Sequence, residues 1–371
     1  MNAIAAERPP VPAPVPAAGA SALSRIAHID GLRALAVLSV LFYHASHYST
    51  AAHAMLEGRH GVDLFFVISG FCLSYPALRA IATRGSATFD VTEFFTKRVL
   101  RIVPPYWIAV AACALLSVFL VAHAFALPDT IQAFTATDIA KQAFFLDYNL
   151  NFSNGSFWTL AVECRWYLAF PLILLLWVRN RRAFWLVAIA SFVAYHFTRL
   201  HVIDFATLPA FMGGIVAADL CIRRDPRAWL ALPVLPCAVV AAYFADSAPG
   251  SVNAILQDAV LWQIVAFCLV VASSHYAWMR GVFAWRPLAF VGLASYSIYL
   301  YHEPIAGALT LDYHWNWIGA ALASLAIGVV AWWLFERQTQ EHEFRERFAH
   351  VVRARLGRVM RFLGVSPAIS L

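Results

Sequence analysis

Ten apolar segments of bilayer-crossing length occupy most of this 371-residue chain and leave it few folds to choose from. A helix spans the hydrocarbon core with about 20 apolar residues, because within one helix every backbone N–H and C=O is bonded without water. The segments run, to within a few residues, over 29–48, 61–80, 102–124, 158–178, 183–200, 206–222, 228–245, 257–276, 286–309 and 316–335. With 61% hydrophobic and 13% charged residues, the composition excludes an ordinary soluble domain. The expected fold is therefore all-α, a polytopic integral membrane bundle of about ten transmembrane helices.

The flanks of that bundle read differently. Residues 9–20 are a Pro/Ala run that cannot build a core, so residues 1–24 are expected to be a disordered tail. No short apolar core with a cleavage site precedes the first span, so no signal peptide is expected. The membrane domain is placed at 25–336, followed by a basic tail at 337–371. From Glu336 to Phe362, Phe, Leu and Val alternate with arginines, which reads as a basic amphipathic helix on the anionic inner leaflet.

Charge sets the expected orientation, since Lys and Arg concentrate in cytoplasmic loops. Of the 27 basic residues, 22 fall on one side and only Arg59, Lys141 and Arg199 on the other, with Arg33 and Arg165 inside spans. The split predicts both termini on the cytoplasmic side. It also makes the net charge of +6 a topology signal, so no nucleic-acid partner is expected. All six cysteines fall inside predicted spans without metal-ligand spacing; they are read as free, buried packing thiols, and no metal is expected.

The first span carries Arg33 and His44, and eleven steps of an α-helix bring a side chain back to nearly the same face, roughly 16 Å along the axis. A central Arg in a span costs about 2.5–3.5 kcal/mol on insertion scales, so a functional role is the default reading of the pair. The bland alternative has Arg33 snorkelling to a headgroup and His44 bonded to a neighbouring helix.

Orientation converts position into depth. His44, Asp63, Glu163, Arg165, His302 and Glu303 fall in the outer halves of four spans, whereas Arg33, Arg98 and Arg101 lie near the inner face, where Pro104 and Pro105 are expected to break or bend the start of the third span. A histidine beside carboxylates is equipment for moving a proton. An arginine group binds phosphate through bidentate charge-assisted hydrogen bonds. Together they suit a phosphorylated donor used from within and an acceptor met deeper in the membrane or from outside. The alternatives are plain positive-inside charge for Arg98 and Arg101, separate interhelical pairing for Glu163 and Arg165, and a simple helix-to-helix hydrogen bond for His302.

These residues also carry a likeness. IDGLRALAVLSVLFYH around Arg33 and His44, GVDLFFVISGF from Gly61, FFTKRVLRIVPPYW from Phe94, FWTLAVECRWYL from Phe157 and ASYSIYLYHEP from Ala294 stand in order. The set resembles the membrane acyltransferase-3 family, whose ten-span domain would account for nearly all of residues 25–336. The resemblance implies a multi-pass protein of the bacterial inner membrane that moves an acyl group, usually acetyl from acetyl-CoA, to hydroxyls of carbohydrates on or bound for the cell surface, such as a lipid-linked glycan or an exopolysaccharide. It implies essential roles for Arg33 and His44 and maps the family's motif glutamate onto Glu163. The chain departs from the motif at Thr159, where Ser is common, and at Cys164-Arg165-Trp166. Some relatives carry an added extracytoplasmic esterase-like domain. With no room for one here, the membrane domain itself or a partner is expected to deliver the acyl group.

The resulting expectation gives His44, Glu163 and Asp63 to catalysis, with Glu163 or Asp63 orienting the imidazole. Arg33, Arg98 and Arg101 are expected to hold acyl-CoA, and Trp158, Arg165 and His302 the acceptor. His44 serves either as general base or as a covalent acyl carrier. The rival classes are a transporter or flippase, for which no two matching halves of Gly/Pro-broken helices are found, and a scaffold, which leaves Arg33 and His44 without a reason.

Overall fold

A computed structural model describes residues 26–49, 55–123, 136–146, 154–197, 203–246, 252–311, 313–362, 364 and 366–371; the expected disordered tail at 1–24 lies outside them. Fifteen helices follow in order: α1 Ala27–His47, α2 Gly61–Arg84, α3 Val91–Ala122, α4 Ala136–Ala143, α5 Phe157–Arg179, α6 Arg181–Phe197, α7 Ile203–Arg223, α8 Ala231–Asp246, α9 Val252–His275, α10 Ala277–Phe283, α11 Arg286–Leu293, α12 Ser295–Leu311, α13 Trp317–Ala331, α14 Arg337–Gln340 and α15 His342–Phe362. Short 3-10 turns at Leu56–His60 and Pro226–Leu230 precede α2 and α8, and a π-helical turn, Trp332–Glu336, joins α13 to α14. Two three-residue strands, β1 (Thr88–Asp90) and β2 (Ala368–Ser370), pair antiparallel.

Among the described residues seven helical stretches are long and apolar enough to cross a membrane, or eight when the bent pair Val260–His275 and Ala277–Phe283 (106°) is taken as one span. Each of the ten expected segments is thus helical over most of its described residues, and with the bent pair taken as one span two of them are not among the full-length candidates. The segment expected at 183–200 is a helix of 17 residues. The segment expected at 286–309 is cut at Ala294 into α11 and α12. The cut has a tertiary cause: Glu336, from the π-helical turn, accepts the Ser297 N–H at 3.1 Å and its hydroxyl at 2.6 Å, so the first turn of α12 is capped from another helix. Hydropathy could not show that.

The third span also begins earlier than its apolar run. Asp90 accepts the Glu93 N–H at 2.7 Å, an N-terminal cap that starts α3 at Val91. Pro104 and Pro105 therefore fall inside a helix that continues through them, so of the expected break or bend there is no break.

The core forms where helices touch without side chains between them. A β-carbon on Gly70 of α2 would lie 1.9 Å from the Phe211 carbonyl oxygen of α7, and one on Gly214 of α7 would lie 2.0 Å from the Val67 carbonyl oxygen. Small residues let backbones meet in this way, and in lipid that close packing, more than the hydrophobic effect, holds helices together. Phe71, Phe170 and Phe211 fill the space around that crossing. Of the six thiols, Cys113 and Cys268 are buried, but Cys237 on α8 is exposed, which corrects the expectation that all pack inside. The helix bearing it presents Val234, Val239, Val240, Tyr243 and Phe244 outward as well, so Cys237 belongs to a lipid-compatible face.

The basic tail is helical as expected, yet it is not one run from Glu336. Glu341 is extended and separates α14 from α15.

Candidate active site

On α1 the eleven-residue interval holds: Arg33 and His44 project toward one side of the helix, each into its own cluster. Arg33 opens into a cavity of about 110 Å³ that also takes Ser69 and Cys72 from α2, Arg98 and Arg101 from α3, Glu163 and Tyr167 from α5, and Tyr296 and Tyr299 from α12. The Arg33 guanidinium donates to Asp30 Oδ1, one turn earlier, at 3.1 Å and to Cys72 Sγ at 3.5 Å. Glu163 Oε1 accepts the Ser69 hydroxyl at 2.9 Å and also the Tyr167 hydroxyl. Arg98 lies against the rings of Phe94 (6.0 Å) and Tyr167 (5.9 Å), and its Nε is buried without a hydrogen-bond partner. Three guanidinium groups thus line the cavity with one carboxylate, Glu163, while Asp30 pairs with Arg33 from one turn earlier on α1. An orphaned buried donor among them fits a cavity built for an anion.

His44 enters the second cluster. Its Nδ1 stands 3.0 Å from His302 Nε2, and His302 Nδ1 donates to the Tyr299 carbonyl at 2.8 Å. Because His302 spends its one proton on that carbonyl, its Nε2 accepts, and His44 is the donor between the rings. Neutral His44 therefore keeps a lone pair on Nε2, which stands 3.8 Å from Glu303 Oε1. Glu303 accepts the Tyr48 hydroxyl at 3.0 Å on the same oxygen and the Ser156 hydroxyl on the other. His302 and Glu303 are fully buried, whereas the His44 side chain is 19% exposed, so the chain of groups opens at His44. The arrangement can take a proton at His44 Nε2 and stabilise the imidazolium with Glu303.

Tyr299 joins the two clusters. It lines the arginine cavity, its carbonyl orients His302, its hydroxyl receives Thr159 Oγ1 at 2.8 Å, and it donates to the Ser156 carbonyl at 3.2 Å. Asn154 Nδ2 on the Leu300 carbonyl at 2.7 Å adds a further tie between the approach to α5 and α12.

The expected residues sort as follows. His44 and His302 meet, and Arg33, Arg98 and Arg101 share one cavity. Glu163 is a correction: it bonds within the arginine cavity and is not the carboxylate on His44. It lies nearly two turns inside α5, while Ser156 and Thr159, at the helix start, take the level of His302 and Tyr299. Asp63 is a second correction. The α2 face toward the cavity is Val62, Phe65, Ser69 and Cys72, and Asp63 turns away from it to accept from His60 Nδ1 at 2.9 Å, with the His60 ring stacked on Trp262. Arg165 makes a bidentate ion pair with Asp204 of α7 at 2.5 and 3.0 Å, the interhelical pairing weighed against a site role. Trp158 packs half-buried against the main core cluster and does not line the cavity. Glu303 stands in the expected outer layer but is given no role by the sequence, and Tyr299 and Ser156 are not expected at all; the adjacency of His302 and Glu303 in the sequence is the available signal.

A family model described as an acyltransferase domain matches residues 26–337, which takes in every residue of both clusters. The chain belongs to the acyltransferase-3 family. Among curated proteins this family member is 25% identical over 319 residues to the peptidoglycan O-acetyltransferase OatA of Listeria monocytogenes, covering 75% of this chain and 49% of that one. It is 25% identical over 319 residues to the putative peptidoglycan O-acetyltransferase YrhL of Bacillus subtilis, covering 75% and 48%. A putative O-acetyltransferase of Staphylococcus aureus is 27% identical over 325 residues, covering 74% and 49%. The acyltransferase-3 chain thus spans about half the length of the curated relatives it matches. No solved structure matches it. Apolar helices in this number and the family together make it a multi-pass membrane protein.

Proposed function

We propose that the protein is an O-acyltransferase of a bacterial plasma membrane that carries an acyl group, acetyl in the simplest case, from acyl-CoA to a hydroxyl of a cell-surface or exported carbohydrate. One observation supports this reading above others: a three-arginine cavity and a His–His–Glu chain lie on one face of α1, tied to each other through Tyr299. The relatives named as peptidoglycan O-acetyltransferases point to the same class of reaction and to a glycan acceptor.

In this reading Arg33, Arg98 and Arg101 hold the anionic part of the donor, and the thioester end extends along α1 toward His44. The acceptor oxygen attacks the thioester carbon while its proton passes to His44 Nε2, and Glu303 stabilises the imidazolium. The C–S bond then breaks, and His44 returns the proton to the leaving thiolate. General base catalysis of this kind contributes about 10²–10⁴-fold. Acylation of His44 itself, followed by transfer, uses the same atoms. Glu163, with Ser69 and Tyr167, balances charge in the arginine cavity.

The test is transfer of labelled acetyl from acetyl-CoA to a glycan acceptor by purified protein in liposomes, with wild type and His44→Ala side by side. Ester formed by wild type alone supports the reading. Equal ester formation by both proteins removes His44 from the chemistry, and substrate movement across the bilayer without ester would favour a transporter.

A further inference from the structure

Helix α15 has two apolar stripes, and among the described residues only one of them is covered. Met360 is buried and receives the Thr92 hydroxyl on its sulfur at 3.5 Å, while Arg353 pairs with Glu93 in the first turn of α3. Past the helix, β2 pairs with β1, and Leu371 N–H donates to the Ala87 carbonyl at 2.9 Å. The other end of the tail follows the span Trp317–Gln340 through the single extended residue Glu341. Both ends of α15 are thus held where membrane-crossing helices stop, so α15 cannot leave the level of the lipid headgroups.

No described residue covers the second stripe. Phe348, Val351, Val359 and Phe362 recur at helical spacing beside the docked stripe and are 41%, 40%, 53% and 90% exposed. Arg347, Arg355 and Arg358 stand exposed within and along it. Single apolar residues on a surface need no explanation, but an aligned row flanked by arginines is the pattern of a helix lying in a membrane interface. Its positive charge complements anionic headgroups, and its position already sets it among them.

We propose that α15 is a strap with one face on α3 and the other seated in an anionic lipid leaflet. The α3 turn it grips lies just ahead of Arg98 and Arg101, so the leaflet would steady the helix that supplies two arginines of the cavity.

The test uses the full chain in nanodiscs of phosphatidylcholine, with or without phosphatidylglycerol, and an environment-sensitive fluorophore introduced at Phe362 or, separately, at Ala354 on the side away from both stripes. At Phe362 the emission should shift to the blue and be quenched by lipids with brominated chains in the anionic discs. Raised salt, or the combined changes Arg347→Gln, Arg355→Gln and Arg358→Gln, should abolish that quenching, while the probe at Ala354 stays unquenched. The salt titration on the wild-type sequence carries the test should the triple variant fail to fold. Water-like emission at Phe362 in both kinds of disc would overturn the proposal and leave the stripe for a protein partner. Equal quenching at Ala354 and Phe362 would overturn it too, because the helix would then not present one face to lipid.

Discussion

His44 donates its Nδ1 proton to Nε2 of His302 across 3.0 Å, and this one bond decides which nitrogen of His44 is free to act. His302 is locked by the Tyr299 carbonyl, so reversing either tautomer would set two lone pairs against each other. His44→Ala is expected to lower acyl transfer by about 10²–10⁴-fold while acyl-CoA still binds, because the arginine cavity lies about three helical turns away. Equilibrium binding of labelled CoA beside the transfer assay separates the two effects. His302→Ala should also lower kcat, since His44 would lose the partner that orients it.

Glu303 is expected to matter through its charge. Glu303→Gln keeps the shape and one acceptor oxygen for Tyr48 or Ser156, turns the other contact into an amide donor, and leaves an imidazolium at His44 without its counter-charge. A loss of kcat within the roughly 10²–10⁴-fold span of general base catalysis, with little change in KM for the donor, is expected. A wild-type kcat for Glu303→Gln would remove the carboxylate from the chemistry.

The arginine cavity should act on donor affinity. Arg33→Lys keeps the charge and loses the planar fork, and Arg98→Gln loses both. A charge-assisted hydrogen bond is worth about 1.5–3 kcal/mol, so KM for acyl-CoA should rise by about 10- to 100-fold for each, with expression nearly intact. Unchanged donor affinity for Arg33→Lys would return that residue to a role in membrane anchoring.

Glu336 is expected to be a stability residue with a functional consequence. Its carboxylate takes the N–H and hydroxyl of Ser297 and the side-chain amide of Gln340 at 2.7 Å, and the helix it caps carries His302 and Glu303. Glu336→Ala leaves those buried donors unpaired, at a cost of about 1–3 kcal/mol, and should lower both the thermal midpoint in detergent and acyl transfer. Ser297→Ala, which removes one of the three bonds, should do less. A thermal midpoint unchanged by Glu336→Ala would show that α12 starts at Ser295 for another reason.

Sidedness can be checked directly. The 22-to-3 division of basic residues, counted on the ten expected segments, predicts the α12–α13 turn outside and the tail inside. In a variant lacking the native cysteines, a single cysteine at Tyr313 should react with a membrane-impermeant maleimide in intact cells, and one at Gly364 only after lysis. The opposite pattern would invert the bundle.

The helical, membrane-crossing character of the chain was legible in the sequence because it depends on local hydropathy alone. The pairing of Arg33 with His44 on one face was legible too, because helical period is a local property and α1 is regular from Ala27 to His47. The grouping of Arg33 with Arg98 and Arg101 followed from charge and depth. Which carboxylate serves which group did not. Depth counted along a segment placed Glu163 beside His44, but α5 starts at Phe157, so Ser156 and Thr159 take the level of Glu303 and Tyr299, and Glu163, nearly two turns further on, bonds Ser69 and Tyr167 in the arginine cavity. The break at Ala294, which brings Tyr299, His302 and Glu303 to their positions, depends on Glu336, 39 residues after Ser297. Contacts between helices are set by the rotation and packing of each against its neighbours, and one-dimensional periodicity carries neither. Sequence therefore determined which residues could act, and only the tertiary structure decided that His44 stands against His302 and Glu303.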